Sequence, residues 1–155
     1  MRWARFYDPF VSVLALGRRR QLRQATVALA DIQPGAAVLE VGCGTGAVAL
    51  LASERAGGEG AVHGIDPSPE MIAVARDKAD RAGSTVDFQV GAIEALAFPD
   101  ASFDVVLSSL MMHHLPRDLK RRGRAEIVRV LKPGGRLLIV DFKRPTTWLA
   151  RTMMT

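Results

Sequence analysis

The sequence predicts an α/β fold built on a mainly parallel sheet with helices on both faces. Three observations carry that reading. From Val38 onward, short β-type runs alternate with helical runs, the pattern of strands joined by right-handed helical crossovers. The stretch Val38 to Gly46, Val-Leu-Glu-Val-Gly-Cys-Gly-Thr-Gly, reads as a strand feeding a glycine loop at the N-terminus of a helix. Asp66 ends the next strand twenty residues past Gly46, where a doubly wound sheet carries an acidic residue for ribose hydroxyls.

Size and composition agree with a single globular domain. A chain of 155 residues, 48% hydrophobic, can bury about two-thirds of its unfolded surface. No repeat or biased tract stands out, and no run approaches the roughly 20 apolar residues that span a bilayer. The apolar run Pro9 to Gly17 is followed by Arg18-Arg19-Arg20 where a signal peptide would need small residues, so a cytoplasmic protein is expected. Cys43 is the single cysteine, which excludes an internal disulfide framework and a multi-cysteine zinc site. Its expected role is a small filler of a crowded loop. His63, His113 and His114 are too few and too poorly spaced for a metal cage, so no metal is expected.

Charge is divided along the chain. Between Glu40 and Asp104 four Lys or Arg face eleven Asp or Glu, while the flanks hold the remaining seventeen basic and five acidic residues. Solvated helix faces account for such a division, and so does attraction to an acidic partner such as nucleic acid or an anionic membrane.

Each element has a local reason. Trp3, Phe6, Tyr7, Phe10, Val11 and Leu14 form a helical stripe interrupted by Pro9. A second helical stretch carries Arg18 to Arg20 and Arg23, with Leu22, Ala25, Leu29 and Ile32 as its apolar side, and ends at Pro34-Gly35. Residues 1–35 are therefore expected to form a helical lid or substrate segment on a cofactor domain spanning 36–155. The strand into Val41 is followed by a helix over Ala47 to Ala56 and a second strand over Ala61 to Asp66. Ser68 offers an N-cap, Pro69 fits the first helical position, and Gly83 closes a helix over Pro69 to Ala82. Thr85 to Val90 is the third strand, and Gly91 to Pro99 a loop or short helix at its carboxyl end. Phe103 to Ser109 is a nearly continuous apolar run, as expected of a strand covered on both faces. A basic helix over about Asp118 to Leu131, a Pro133-Gly134-Gly135 turn and a fifth strand over Arg136 to Phe142 complete the pattern, with a further helix starting near Pro145.

The glycines alone leave two cofactors open, because Gly42-x-Gly44-x-x-Ala47 also satisfies the loose dinucleotide fingerprint. Glu40 favours one of them. A carboxylate two residues before the first glycine repels a pyrophosphate and attracts a ligand bearing an ammonium and a sulfonium, as S-adenosylmethionine does.

Taken together these residues resemble a class I S-adenosylmethionine-dependent methyltransferase, in particular the ubiquinone/menaquinone biosynthesis C-methyltransferase branch. Val38 to Gly46 is similar to that family's first motif, and Gly64-Ile65-Asp66 to its second-strand acidic motif. Glu94 to Asp104 is similar to its E-A-L-P-F-P-D-x-S-F-D stretch, and Leu131 to Arg136 to its L-K-P-G-G-R turn. Phe6-Tyr7-Asp8 and Leu16-Gly17-Arg18 also look like the start of that branch.

The resemblance implies a Rossmann-like sheet and specific roles. Glu40 and the Gly42, Cys43, Gly44 and Gly46 loop would hold the methionine part of the cofactor, and Asp66 its ribose. Pro67 and Met71 would flank the adenine, and Ser108 would stand at the end of the fourth strand. The family commonly binds the adenine amino group with an acidic or amide residue after the third strand. Here that place is Ala92, so the backbone of Ala92 and Ile93 must serve, at a loss of about 1 kcal/mol if nothing replaces the side-chain bond. The family's sheet has two strands more than can be counted here. The fifth strand would then be an exposed apolar edge, expected in a fragment of a longer protein or in a homodimer that covers it.

Methyl transfer from a sulfonium needs alignment and dryness more than side-chain chemistry. Where the acceptor must lose a proton, His113 is the best-placed base, with a structural or substrate-positioning role as its alternative, and Tyr7 could reach over the site from the lid. Base-amino methyltransferases carry D/N-P-P-Y/F after the fourth strand. This chain has Ser108-Ser109-Leu110-Met111, an apolar setting suited to a small or lipid-like acceptor rather than to RNA or protein. An RNA or protein methyltransferase, which the basic flanks would suit, a cofactor-binding module without activity and a nucleotide-dependent oxidoreductase are the other readings.

Overall fold

The computed structural model describes residues 18–141. Five strands, β1 (Ala37–Val41), β2 (Ala61–Asp66), β3 (Asp87–Val90), β4 (Phe103–Ser109) and β5 (Leu131–Val140), form one sheet in the order β3-β2-β1-β4-β5. Every neighbouring pair is parallel. The helices are α1 (Arg18–Ala30), α2 (Ala47–Ala56), α3 (Pro69–Ala82) and α4 (Arg117–Val130), with a single 3₁₀ turn at Met112–His114. This is the doubly wound, Rossmann-like arrangement that the strand and helix alternation predicts.

Alternation along the central strands divides the core in two. Val38, Val105 and Leu107 pack with Val27 of α1, Ala49 and Ala52 of α2 and Ile72 and Ala75 of α3. Leu39, Val41 and Val106 face the other way, against Ile93, Leu96, Phe103 and the Ile127 and Val130 of α4. Because β1 and β4 are buried on both sides, their sequences are almost unbroken apolar runs. Truncating a side chain such as Leu107, fully buried at the centre, is expected to cost about 2–5 kcal/mol.

The chain runs from β1 toward one edge of the sheet and then returns to the other side of β1 as β4. Strand order therefore reverses between β1 and β4, and a crevice opens beyond their carboxyl ends.

Several boundaries and one helix face differ from the sequence expectations. In α1 the buried residues are Thr26, Val27 and Ala30; Leu29 is 67% exposed, and Leu22 is partly exposed. Thr26 can be buried because its hydroxyl donates to the Leu22 carbonyl one turn earlier, at 2.9 Å. β3 begins at Asp87 rather than Thr85, and α4 spans Arg117–Val130. The Pro133-Gly134-Gly135 turn lies inside β5: Phe103 pairs with Leu131, but Val105 pairs with Arg136, so four residues bulge out between them. The Asp104 carboxylate holds this corner, accepting from the Lys132 ammonium at 3.0 Å and from the Ala37 N–H at 2.8 Å. At the edge formed by β5, Leu137 and Ile139 remain more than one-third exposed. Tyr7, Phe142 and the segment from Pro145 lie outside the described residues. Among those described, no helix is long and apolar enough to cross a membrane and no cluster of metal-ligating side chains occurs.

Candidate cofactor site

The glycine loop is tied to the neighbouring strand through one atom. The Ile65 carbonyl at the end of β2 accepts from both the Gly42 N–H (2.8 Å) and the Cys43 N–H (2.9 Å). Gly42, Gly44 and Gly46 all have positive φ, but their surroundings differ. A Cβ on Gly42 would stand 2.4 Å from Met111 Cγ, and one on Gly46 would stand 2.5 Å from Phe88 Cζ, whereas one on Gly44 would meet nothing within 4 Å. Gly42 and Gly46 thus allow close packing, while Gly44 presents bare backbone to open space.

Two carboxylates brace the loop from either side. Glu40 is 2% exposed, and its Oε2 accepts from the Ala49 N–H in the first turn of α2 at 2.8 Å. Burial pushes this carboxyl up to about 8; the Ala49 N–H and the nearby Arg23 charge pull it down, and Asp66 adds to the rise. Asp66 accepts with Oδ2 from the Gly44 N–H and with Oδ1 from the Ser68 N–H, each at 2.9 Å. Ser68 in turn caps α3, accepting from the Met71 N–H. The thiol of Cys43 is buried, and its desolvation, reinforced by Glu40 and Asp66, pushes its pKa far upward, so it stays a neutral packing group.

These groups line a cavity of about 290 Å³ beyond β1 and β4. Glu40, Gly42, Cys43, Gly44, Asp66 and Met71 form its floor and one wall. Ser109, Leu110, Met111 and His114 supply the wall beyond β4, and Arg19, Leu22 and Arg23 of α1 reach it from the other side. Two basic residues therefore confront two carboxylates across one small space, a distribution that complements a zwitterion. The arginines were not marked as site residues by the sequence, because the charge of an exposed helix face gives no direction.

The segment after β4 turns sharply. Leu110 has φ +55°, unusual for a residue with a branched side chain, and its N–H donates to the Val140 carbonyl at 2.7 Å. The 3₁₀ turn that follows brings His113 Nδ1 to 2.6 Å from Asp141 Oδ1 and places the His113 and His114 rings 3.8 Å apart between centroids. Ser108 Oγ, buried just before this turn, has no hydrogen-bond partner among the described residues.

A second brace holds the segment between β3 and β4. Arg129 of α4 donates to the carbonyls of Leu96 (2.9 Å) and Phe98 (2.8 Å) and to the Asp100 carboxylate (2.8 Å). Glu126 accepts from the same guanidinium at 2.8 Å and from the Leu96 N–H at 2.9 Å. The Arg129 hydrogen bonds hold the Glu126 carboxyl down to about 2. Ala92 accepts from the Ala95 N–H at the start of this segment, and Ile93 is buried against Gly123 of α4.

A family model described as a methyltransferase domain matches residues 38–135. The chain belongs to that methyltransferase family. The ubiquinone/menaquinone biosynthesis C-methyltransferase UbiE of Xanthomonas campestris is 38% identical over 146 residues, covering 92% of this chain and 56% of that protein. The demethylmenaquinone methyltransferase of Shouchella clausii is 35% identical over 141 residues, covering 90% of this chain and 59% of that protein. The chain thus spans little more than half the length of the curated relatives it matches. Among solved structures, YcgJ from Bacillus subtilis superimposes with a TM-score of 0.75 at 31% identity, covering 87% of this chain and 56% of that one. A SAM-dependent methyltransferase from Aquifex aeolicus gives 0.73 at 26% identity, covering 81% and 66%. The fold is accordingly that of the class I methyltransferases, whose cofactor is S-adenosylmethionine.

Within this methyltransferase fold, Glu40, Gly42, Cys43, Gly44, Asp66 and Met71 converge on the cavity. Gly46 lies beneath the loop against Phe88, Pro67 is exposed between Asp66 and Ser68, and Ala92, Ile93, Ser108 and His113 stand outside the cavity lining. Asp141, the Glu126–Arg129 brace and the two α1 arginines are the site features that sequence reasoning missed.

Proposed function

We propose that this chain binds S-adenosylmethionine in the cavity beyond β1 and β4 and transfers its methyl group to a small or lipid-like acceptor of the quinone-precursor class. One observation carries the cofactor reading. The buried Glu40 carboxylate is locked by the Ala49 N–H beside the open backbone of Gly44, a site that a cationic amino-acid ligand satisfies and a pyrophosphate does not. Glu40 and the Gly42 to Gly46 loop would hold the methionine part, Asp66 the ribose hydroxyls, and Pro67 and Met71 the faces of the adenine. The backbone of Ala92 and Ile93 would meet its edge, with Ser108 closing the β4 end. When bound, the cofactor supplies a methyl group on positively charged sulfur, and the reaction is an in-line displacement.

The chain's own residues align the acceptor, exclude water and take up a proton. Leu110 and Met111 give the acceptor side an apolar wall, and α1, through Arg19, Leu22 and Arg23, covers the cavity from the other side. His113, one residue before the cavity-lining His114 and held at Nδ1 by Asp141, is the base to which this reading assigns the acceptor's proton. The relative named as a C-methyltransferase of ubiquinone/menaquinone biosynthesis supports a carbon atom as the nucleophile.

Calorimetry with S-adenosylhomocysteine and with NAD tests the cofactor, and a turnover assay with a demethylated quinol tests the reaction. Binding of NAD in preference to S-adenosylhomocysteine would overturn the reading. Tight binding of S-adenosylhomocysteine without turnover on any quinol or phenol would instead favour a cofactor-binding module.

A further inference from the structure

A groove of about 400 Å³ lies between α4 and β5, lined by Met112, Arg117, Lys120, Arg121, Arg124 and Ile139. The four cations recur at helical spacing, so they share one face of α4. Among the described residues none of these four side chains makes an ion pair or a hydrogen bond, in contrast to Arg129 two turns on, which is held by Glu126, Asp100 and two carbonyls. The same face continues to Val128, which is 68% exposed, and borders Leu137 and Ile139 on the outer part of β5. Unpaired cations surround an exposed apolar strip.

We infer that this face docks on an anionic phospholipid bilayer. Each part has a reason. Long basic side chains with no acidic partner lie where they can reach phosphate groups, while the exposed Val128, Leu137 and Ile139 enter the boundary between headgroups and acyl chains. A single-stranded nucleic acid fits less well, since no aromatic side chain lines the groove to stack on a base. Position adds a consequence. Met112 follows Met111, which lines the cofactor cavity, so a bilayer held at this face lies beside the acceptor wall. The assignment rests on the surface alone and stands or falls separately from the methyl-transfer reading.

Vesicle flotation of the full chain tests it, comparing phosphatidylcholine alone with phosphatidylcholine containing phosphatidylglycerol at about one part in three. Binding to the anionic vesicles should be tighter by about fiftyfold or more at low salt and should weaken steadily as salt is added. Each cation at an anionic surface is worth about fivefold, so Arg117→Gln/Arg121→Gln/Arg124→Gln should lose roughly a hundredfold. That variant should keep its melting temperature and its affinity for S-adenosylhomocysteine. If it unfolds, Arg121→Gln/Arg124→Gln and the salt dependence of the unaltered chain decide. Equal binding to both vesicles, an undiminished triple variant, binding to an RNA oligonucleotide but not to vesicles, or a dimer that buries the face without vesicle binding would each overturn the inference.

Discussion

His113 Nδ1 lies 2.6 Å from Asp141 Oδ1, joining the residues that follow β4 and β5 across the carboxyl edge of the sheet. An ionised carboxylate at Nδ1 favours the tautomer that carries its proton on that nitrogen. Asp141→Asn removes the charge and permits the wrong tautomer. It is expected to lower kcat by about tenfold to a hundredfold while leaving KM and cofactor affinity within about twofold. Asp141→Glu should recover part of the loss. Steady-state kinetics of the three forms checks this, and an unchanged kcat in Asp141→Asn would remove His113 from the chemistry.

On the proposed reading, in which Glu40 receives the cofactor's ammonium, binding and proton release are one event. The Glu40 carboxyl titrates near 8 in the empty protein, so at pH 7 it is largely protonated, and a bound ammonium must expel that proton. Calorimetry in buffers of different ionisation enthalpy should show nearly one proton released per S-adenosylhomocysteine at pH 7, falling toward none well above pH 8. Glu40→Gln should show no such release and should bind at least tenfold more weakly.

The same residue makes the empty protein less stable with rising pH. A carboxyl whose folded pKa is raised above 4.5 holds its proton longer folded than unfolded, so stability falls as pH climbs from about 4.5 to about 8. The loss is of the order of 3 kcal/mol by pH 7. Glu40→Gln should therefore melt higher than the unaltered chain near pH 8, while being the weaker binder.

Glu126 has the opposite sign. Its folded pKa of about 2 lies below the ordinary 4.5, so its stabilisation is present above about pH 4.5 and is lost as pH falls toward 2. Arg129→Gln should flatten acid unfolding over that window. It should also expose the segment from Leu96 to Asp100 to limited proteolysis, since the two carbonyls and the carboxylate lose their donor. Cleavage no faster than in the unaltered chain would show that the segment is held by its apolar side chains instead.

The glycines of the loop should separate stability from binding. Gly46→Ala combines a left-handed backbone with a Cβ 2.5 Å from Phe88, and is expected to cost about 2–4 kcal/mol. Gly44→Ala carries only the backbone term, about 1–2 kcal/mol, because its Cβ meets open space. It should fold and yet bind S-adenosylhomocysteine poorly. Denaturant melts and calorimetry on both variants check the contrast.

The strands and the glycine loop were legible because their signals are local. A buried parallel strand is an apolar run, and Ser68, Pro69 and Gly83 bracket α3 in the positions where the structure has its caps. The apolar face of α1 was misread because alanine is equally at home inside and outside, and because a back-bonded threonine can be buried. The strand expected from Arg136 begins at Leu131, since a Pro-Gly-Gly turn and a bulge have the same sequence and differ only in what pairs on either side. The brace from Arg129 could not be read at all. Glu126 stands three residues before Arg129 on the same helix, but two of the arginine's acceptors are backbone carbonyls more than thirty residues away, and a carbonyl has no letter in a sequence.

One surface ion pair reaches further than its strength suggests. Arg136, at the opposite end of the sheet from the cavity, holds Asp31 at 2.8 Å and donates to the Ala30 carbonyl, and so pins the last turn of α1. Arg19 and Arg23 sit at the other end of that helix, over the cavity. A helix of 13 residues is about 20 Å long, so a tilt of roughly 10° about Asp31 carries Arg19 by about 3 Å. α1 thus meets the cavity with its first turns and the far end of the sheet with its last, so one helix spans the distance between the site and the Arg136 contact.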